Sequence, residues 1–397
     1  MPAAQNISIL GSTGSVGQNT LAVIDKNPGY KLYALSAHRN SNLLFQQCLR
    51  YRPVFAVITD PEAAAELSTL LLESDCETHL LVGHEALDRI ASDAQVDAVM
   101  AAIVGAAGLE STLAAVRSGK RVLLANKESL VMSGDFLMQA AAVSGASIIP
   151  IDSEHNAIFQ CLPAAAAGLP DSQLNDVAKV VLTASGGPFL TTPLAALKDI
   201  TPEQACKHPK WKMGPKISVD SATMMNKGLE FIEACLLFGL QTHQVSVLIH
   251  PQSIVHSMVH YRDGSVLAQM GNPDMRIPIA YGLAYPQRID SGAAALDLTT
   301  QQALEFHEPD LEKFPCLALG IEACSQRGTA PTILNAANEA AVAAFLERKI
   351  PFLQIAAVIE QVLSKIPCEP ASSLAIIREF DQRARNLANE LILKDFQ

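Results

Sequence analysis

Two acidic residues flank a serine at the end of an apolar run in the segment IPIDSEHNAIF, residues 149–159. We predict an extended chain here. Because alternate side chains of an extended chain share a face, Asp152 and Glu154 should point the same way. Paired acids can share a proton, act as acid and base, or hold a cation. Oxygen ligands suit a hard ion such as Mg²⁺ or Mn²⁺, and such a site needs a third acid nearby in space.

The segment SVDSATMMNKGLEFIEA, residues 218–234, offers that third acid. We predict one helix over SATMMNKGLEFIEACLLFG, in which Asn226, Lys227 and Glu230 share a face because residues three and four apart are neighbours. The alternative is an ordinary amphipathic helix that carries Lys227 and Glu230 as a surface ion pair. Glu233 either supports Glu230 or belongs to the solvent face.

Two loop-forming segments could bind an anion. TASGGPFL, residues 183–190, ends a strand in a Ser-Gly-Gly-Pro turn with exposed backbone N–H groups. KHPKWKMGPK, residues 207–216, concentrates four lysines and His208 in a chain of net charge −11. A lone tryptophan is normally part of a core, but Trp211 lies among lysines in this loop. We therefore predict a mobile lid over residues 186–216, with Trp211 on its inner face.

A glycine turn lies at the amino terminus, in ISILGSTGSVGQNTLAVI. Gly11, Gly14 and Gly17 follow the first apolar strand and open a helix, which is the context of a dinucleotide-binding turn rather than a plain tight turn. After the next strand the sequence gives His38, Arg39 and Asn40, with no acid to bind the ribose hydroxyls. A guanidinium suits the 2′-phosphate of NADP, so NADPH is favoured over NADH. The alternative for Arg39 is a solvated surface residue.

The elements that must position these residues fall into three regions. Apolar runs at 7–10, 31–36, 55–59, 97–103, 121–126 and 146–151 alternate with helical stretches, which predicts a Rossmann-like parallel sheet over residues 1–150. Residues 151–285 have the texture of an α+β catalytic domain, with strands at 177–185, 245–250 and 265–270. Residues 286–310 form a connector, and the helical periodicity of 311–397 predicts a C-terminal α-helical domain. The predicted fold class is therefore α/β.

The amino-acid composition limits the classes of partner that this chain is expected to bind. Forty acidic residues against 29 basic ones argue against nucleic acid, which needs a basic surface. No apolar run reaches the ~18 residues typical of a membrane span. The first strand begins near residue 7 and leaves no room for a signal peptide, and the eight cysteines form no C-x-x-C pair. We expect a cytoplasmic protein whose ligand is a small molecule.

Seven motifs in order along the chain resemble the 1-deoxy-D-xylulose 5-phosphate reductoisomerase family. They are GSTGSVG, LLANKESLV, IDSEHNAIFQ, TASGGPF, HPKWKMGPKISVDSATMMNKGLE, HPQSIVHSMV and NAANEAAVAAFL. The resemblance implies an NADP-dependent oxidoreductase and isomerase of the methylerythritol phosphate route to isoprenoids. It implies a rearrangement, most simply by retro-aldol cleavage and rejoining, followed by reduction to 2-C-methyl-D-erythritol 4-phosphate. It also implies a homodimer that uses NADPH and a divalent metal, Mg²⁺ or Mn²⁺.

The resemblance also implies roles for individual residues. The metal ligands would be Asp152, Glu154 and Glu230, which with Lys127 and His208 make up the catalytic group. Substrate would contact Lys127, Ser153, Glu154, Ser185, His208, Trp211, Met213, Ser221, Asn226, Lys227 and Glu230. NADPH would contact Gly11, Thr13, Gly14, Ser15, Val16, His38, Arg39, Asn40, Asn126, Glu128 and Gly214.

Several alternatives stay open. The general base is Lys127, Glu154 or metal-bound water. His256 is either an acid or a structural support. His38 stands where many relatives carry glycine, which alters the expected contact with the adenosine phosphate. A dehydrogenase with a catalytic cysteine or Tyr-Lys pair lacks its motif here, and a non-enzymatic NADPH sensor would have no use for three carboxylates and a basic lid.

Overall fold

Residues 5–150 build a parallel seven-stranded sheet in the order β4-β3-β2-β1-β5-β6-β7. The structure, a computed structural model, describes residues 5–163, 174–211, 213–301 and 303–395. The strands are β1 Gln5–Leu10, β2 Tyr30–Ala37, β3 Phe55–Ile58, β4 His79–Val82, β5 Ala98–Ala101, β6 Arg121–Leu124 and β7 Ser147–Pro150. The helices between them are α1 Ser15–Lys26, α2 Ser41–Tyr51, α3 Pro61–Leu72, α4 His84–Ser92, α5 Leu109–Arg117 and α6 Lys127–Ser144.

This sheet confirms the predicted Rossmann-like architecture. Strand β1 lies between β2 and β5, so the connections on its two sides run in opposite directions. This arrangement leaves a crevice at the carboxyl end of β1, which is where such folds bind ligands. Strand β4, a four-residue strand at the edge of the sheet, was not predicted. Its side chains are only partly buried, and for that reason it lacks the apolar signature of the inner strands.

A second sheet follows in the order β11-β10-β8-β9. Its strands are β8 Val177–Ala184, β9 Val245–Ile249, β10 Val255–Tyr261 and β11 Val266–Met270. Helix α7, Ser153–Cys161, packs against β10 and β11. Strand β10 was not predicted, because its sequence VHSMVHY interrupts the apolar pattern with His256 and Ser257, although both are buried.

The predicted continuous helix over residues 221–239 is wrong. Two helices, α9 Pro215–Ala222 and α10 Met225–Phe238, meet at Met224, whose φ of 62° places it in the left-handed region. A non-glycine residue there ends the hydrogen-bond ladder of one helix and starts another. The short helix α8, Pro202–Ala205, precedes this pair, and α11, Arg276–Ala284, follows the second sheet.

The C-terminal region is helical, as predicted. Its helices are α12 Pro315–Gln326, α13 Ala330–Leu346, α14 Gln354–Lys365 and α15 Leu374–Asp395. Before it, the chain between residues 286 and 310 contains a short 3₁₀-helix, Leu298–Thr300, and a β-bridge from His307 to Ile249.

One apolar core runs through all three regions. It joins Ile7 and Leu35 of the first sheet, Leu182 of the second, and Phe345 and Phe380 of the C-terminal helices. Elements that share a core hold their relative positions, because close-packed interiors resist small displacements. Across the described residues, no helix combines the length and apolar character needed to cross a bilayer.

Candidate active site

A cavity of about 760 Å³ lies where the first sheet, the second sheet and α9–α10 meet. It is large enough for a small ligand together with part of a nucleotide cofactor. The predicted residues that line it are Gly14, Ser15, Val16, Lys127, Glu128, Asp152, Ser153, Glu154, Ser185, His208, Trp211, Met213, Gly214, Ser221, Asn226, Lys227 and Glu230.

Asp152 and Glu154 do not lie on an extended chain, contrary to prediction. Asp152 is the N-cap of α7 and accepts a hydrogen bond from the backbone N–H of Ser153 at 3.0 Å. Glu154 follows in the first turn, where acidic side chains are favoured by the helix dipole. The Asp-Ser-Glu sequence is therefore a helix start, and Ser153 donates a hydrogen bond to Glu154 at 2.5 Å.

Three carboxylates converge at one point of the cavity. One carboxylate oxygen from each of Asp152, Glu154 and Glu230 lies within 4.8 Å of the other two. Glu230 comes from α10 and the other two from the start of α7, so the tertiary structure brings the three together. An all-oxygen donor set of this kind fits a hard divalent cation such as Mg²⁺ or Mn²⁺.

Two buried lysines lie between these carboxylates. Lys127 pairs with Asp152 and, at 3.2 Å, with Glu230. Lys227 pairs with Glu154 at 2.8 Å and with Glu230. Lys227 and Glu230 are 3% and 1% exposed, which rules out the alternative of a surface ion pair. The mutual repulsion of the acids is thus offset by ammonium groups from α6 and α10.

The two glutamates respond differently to burial. Burial alone would raise the pKa of Glu154, but the charge and hydrogen bond of Lys227, the hydrogen bond from Ser153 and the charge of Lys127 together outweigh burial and hold that pKa at about 2. Burial, and next the charge of Glu154, raise the pKa of Glu230 to about 7. A divalent cation would favour the ionised form of both groups, since it adds positive charge where negative charge is crowded.

His155 and Glu233 form a buried pair behind the three carboxylates. Nε2 of His155 is 2.8 Å from the carbonyl oxygen of Glu230, and since a carbonyl only accepts, Nε2 carries the proton. Its Nδ1 lies 3.5 Å from Glu233, which is fully buried and not on a solvent face. Burial lowers the pKa of His155 to about 4, while burial and the charge of Asp152 raise the pKa of Glu233. The sequence analysis did not assign His155 a role.

The lid segment is tied to the second sheet by His208. Its Nδ1 accepts hydrogen bonds from the backbone N–H groups of Lys210 and Trp211 at 3.2 and 2.9 Å. Its Nε2 therefore carries the proton and donates to Ser185 Oγ at 2.9 Å. Burial lowers the pKa of His208, consistent with a neutral ring. The half-buried ring of Trp211 faces the cavity, and its centroid is 6.4 Å from the centroid of the His256 ring.

The lysines of this segment do not form one patch. Lys207 and Lys210 are exposed, and Lys212 lies outside the described residues. Lys216 instead pairs with Glu128 at 2.7 Å and Asp220 at 2.8 Å. Burial alone would lower the pKa of Lys216, but the neighbouring carboxylates raise it.

The glycine turn forms the opposite end of the cavity. Gly11 has a φ of +84°, and a Cβ added to Gly17 would lie 2.5 Å from the Cα of Ser12. Helix α1 therefore packs directly on the turn, which leaves Gly14, Ser15 and Val16 along the cavity wall.

Six residues predicted to bind cofactor lie outside the cavity lining. They are Gly11, Thr13, His38, Arg39, Asn40 and Asn126. At the carboxyl end of β2, His38 Nδ1 is 2.8 Å from Thr59 Oγ1, and the largely exposed Arg39 pairs with Asp60 at 2.7 Å.

Asn126 is buried, and its side chain bonds to the backbone on either side. It donates to the carbonyl oxygens of Ile103 and, at 3.0 Å, Gly105, and accepts from the N–H of Ser129 at 2.9 Å. It fixes the loop after β5, and Ile103 in that loop lines the cavity.

The sequence matches known proteins along most of its length. Residues 7–134 match the family model of 1-deoxy-D-xylulose 5-phosphate reductoisomerase, residues 148–238 its C-terminal domain, and residues 270–387 the DXP reductoisomerase C-terminal domain. The reductoisomerase of Cupriavidus pinatubonensis is 60% identical over 384 residues, which is 96% of each chain. The chain belongs to the 1-deoxy-D-xylulose 5-phosphate reductoisomerase family.

Solved structures agree with this membership. A crystal structure of DOX-P reductoisomerase with NADPH, fosmidomycin and magnesium has a TM-score of 0.95 at 47% identity, covering 99% of this chain and 100% of that one. The reductoisomerase of Zymomonas mobilis with NADPH has a TM-score of 0.90 at 45% identity, covering 98% and 99%.

The cavity also contains residues for which no single role was predicted. Ser253 and His256 come from the motif HPQSIVHSM, whose paired histidines and proline offered a signal. Burial lowers the pKa of His256. Asp274 and Met275 come from the Gly-Asn-Pro loop between β11 and α11, a loop composition that also offered a signal.

Proposed function

We propose that this chain converts 1-deoxy-D-xylulose 5-phosphate to 2-C-methyl-D-erythritol 4-phosphate with NADPH, in the non-mevalonate route to isoprenoids. The observation that carries the proposal is the convergence of Asp152, Glu154 and Glu230 in the cavity whose far end is the glycine turn. A rearrangement and a reduction at one site need a cation and a dinucleotide close together, and this cavity has room for both.

Asp152, Glu154 and Glu230 would hold the divalent cation, which supplies a Lewis acid that polarises the ketone and a neighbouring hydroxyl of the sugar. Three carboxylates and two ammonium groups carry one net negative charge when all are ionised. Lys127 contacts Asp152, Glu230 and, at 2.9 Å, Asn226 Oδ1, so its ammonium is held at the centre of the site. It is placed to orient a substrate hydroxyl or to exchange a proton with it.

The phosphate of the substrate would bind Ser185, Ser221, Asn226, Lys227 and His208. Ser185 and His208 are hydrogen-bonded to each other across the boundary between the second sheet and the lid segment. A phosphate that contacts both would hold residues 186–216 closed. Its binding energy, remote from the reacting carbons, would then serve to exclude water and position the sugar.

NADPH would lie along Gly14, Ser15 and Val16, with the pyrophosphate at the start of α1, and supplies the hydride for the reduction. Trp211, Met213 and Gly214 would cover the nicotinamide end. His38, Arg39 and Asn40 would meet the adenosine phosphate beyond the cavity lining. We assign NADPH binding to residues 1–150, metal and substrate binding to 151–285, and support to the helices after the 286–310 connector, over 311–397.

The decisive experiment follows NADPH oxidation with 1-deoxy-D-xylulose 5-phosphate, with Mg²⁺ or Mn²⁺ and with a chelator. We expect oxidation that requires the metal and that Asp152→Ala abolishes, while the far-ultraviolet circular dichroism stays unchanged. Binding of NADPH without oxidation under any metal condition would instead favour a non-catalytic NADPH sensor.

A homodimer and a cytoplasmic location complete the proposal. Among the described strands β11 is one of the two outer strands of its sheet, and it exposes Val266 and Leu267 at 44% and 49%. An open apolar edge of this kind favours pairing with another chain. The eight cysteines are free thiols, as in a reducing compartment. Light scattering after gel filtration tests the dimer, and Leu267→Lys should shift it towards monomer.

A further inference from the structure

Helix α13 carries a buried polar stripe that begins at Thr332 and continues into the motif NAANEA, residues 335–340, and the proposed function gives it no role. Thr332, Asn335 and Asn338 follow at three-residue spacing, and each is 0% exposed. Buried polar groups are costly unless they are hydrogen-bonded, so their partners indicate what the stripe does. Thr332 Oγ1 donates to the carbonyl of Met132 in α6 at 2.7 Å, which is a simple helix-to-helix contact.

Asn338 has a different kind of partner. Its Nδ2 donates to Oδ1 of Asp220 at 2.8 Å, and Asp220 Oδ2 pairs with Lys216 at 2.8 Å. Lys216 in turn pairs with Glu128 at 2.7 Å. This chain of contacts runs from the C-terminal helices through α9, whose first two residues end the lid segment, to the first turn of α6. Asp220, Lys216 and Glu128 all line the cavity.

Glu339, the residue after Asn338, reaches a second wall of the cavity. Gly105, in the loop after β5, has a φ of +75°, and an added Cβ would lie 2.9 Å from Oε1 of Glu339. Glu339 pairs with Arg385 of α15 at 2.6 Å, so its carboxylate is held against the loop. Asn126 holds the same loop from the other side through the carbonyl of Gly105. Val104, beside Gly105, lines the cavity.

We propose that α13 is a positioning element of the NADPH site. Asn338 fixes the base of the lid through Asp220 and Lys216, and Glu339 fixes the loop after β5. The base of the lid and the loop after β5 are far apart in sequence. These contacts keep the distance between them fixed around the dinucleotide. This inference rests on the proposed function, because it takes the ligand of these walls to be NADPH. Neither Asn338 nor Glu339 lines the cavity.

The test compares two variants on the same helix. Asn338→Leu keeps the side-chain size and leaves Asp220 without its amide donor. Thr332→Val, the matched control, removes an equally buried hydrogen bond that does not lead to the cavity. NADPH affinity is measured by calorimetry, Mn²⁺ affinity by electron paramagnetic resonance, and lid position by the emission of Trp211, the only tryptophan. Asn338→Ala repeats the measurement without the two apolar methyl groups of leucine.

We expect Asn338→Leu and Asn338→Ala to bind NADPH about tenfold more weakly, since a hydrogen bond to a charged group is lost. They should shift the Trp211 emission and keep Mn²⁺ affinity within about twofold. Thr332→Val should lower the unfolding midpoint and leave NADPH affinity unchanged. The inference is overturned if both Asn338 variants bind NADPH as the parent does, or if Thr332→Val loses as much affinity. Failure of the parent chain to oxidise NADPH with 1-deoxy-D-xylulose 5-phosphate would instead reject the proposed function.

Discussion

The two ends of the cavity are built differently. The cation end consists of charged side chains from three helices: Lys127, Asp152, Glu154, Lys227 and Glu230. The nucleotide end consists mainly of the backbone of residues 11–17, whose glycines let α1 pack on the turn. The first depends on a balance of buried charges and the second on the shape of the chain. Different substitutions should therefore disable each end.

The cation end also depends on long-range folding. Its carboxylates and ammonium groups interlock only when α6, α7 and α10 are packed, so removal of one charge leaves another unpaired. The nucleotide end is contiguous in sequence and forms between one strand and one helix. A substitution there should disturb dinucleotide binding and leave the charge cluster intact.

The largest effect should follow from Glu230→Gln. The amide keeps the size of the side chain but removes one of the three anionic ligands, so we expect kcat/KM to fall at least about a hundredfold while NADPH affinity is retained. Steady-state kinetics and calorimetry measure the two quantities. Glu379→Gln, which breaks an exposed pair with Arg383 in α15, is the control and should leave both unchanged. Turnover at the parent rate in Glu230→Gln would rule out the assigned ligand set.

Lys227→Met should weaken the fold as well as the chemistry. It removes the ammonium shared by Glu154 and Glu230, and a broken buried ion pair costs about 3 kcal/mol in the free energy of unfolding. Urea denaturation with and without Mg²⁺ provides the measurement. Because a divalent cation replaces the lost positive charge, Mg²⁺ should stabilise the variant more than the parent. Equal stabilisation of the two proteins would contradict a cation site beside Lys227.

The sequence predicted the membership of this cluster better than its geometry. Asp152, Glu154 and Glu230 stand out because acids interrupt apolar runs, but the conformation around them depends on tertiary contacts. Local spacing did not reveal that Asp152 caps a helix or that Met224 breaks one. The burial of Glu233 behind His155 likewise depends on how α7 meets α10.

The first sheet was predictable because six of its seven strands are short apolar runs separated by helices, while the edge strand β4 lacks that signal. Strand β10 was not predictable for a related reason. Its histidine and serine interrupt the apolar pattern, and their burial depends on tertiary contacts. The same holds for Asn338, whose partner Asp220 is distant in sequence.

A smaller effect, confined to the nucleotide end, should follow from Gly17→Ala. The added Cβ would lie 2.5 Å from the Cα of Ser12, so the turn must shift, whereas in Gly14→Ala the nearest atom is 3.3 Å away. Overpacking of this kind costs about 1–3 kcal/mol, so we expect NADPH to bind roughly tenfold more weakly in Gly17→Ala than in Gly14→Ala. Calorimetry measures this, and Mn²⁺ affinity should stay at the parent value. A larger loss of NADPH affinity in Gly14→Ala would show that direct contact with the cofactor, rather than the packing of α1 on the turn, determines the affinity.

The smallest effect should be a pH dependence of the lid segment between the two ends. His208 accepts two backbone hydrogen bonds at Nδ1, and burial lowers its pKa in the folded chain below the ordinary value of 6.5. The unfolded segment then binds the proton more readily, so the stability of the lid is complete above pH 6.5 and is lost as the pH falls towards the lowered pKa. Trp211 emission, followed from pH 8 to pH 5, should report this change. His208→Gln, which has no titrating ring, should abolish it, and an unchanged pH profile in that variant would assign the titration to another group.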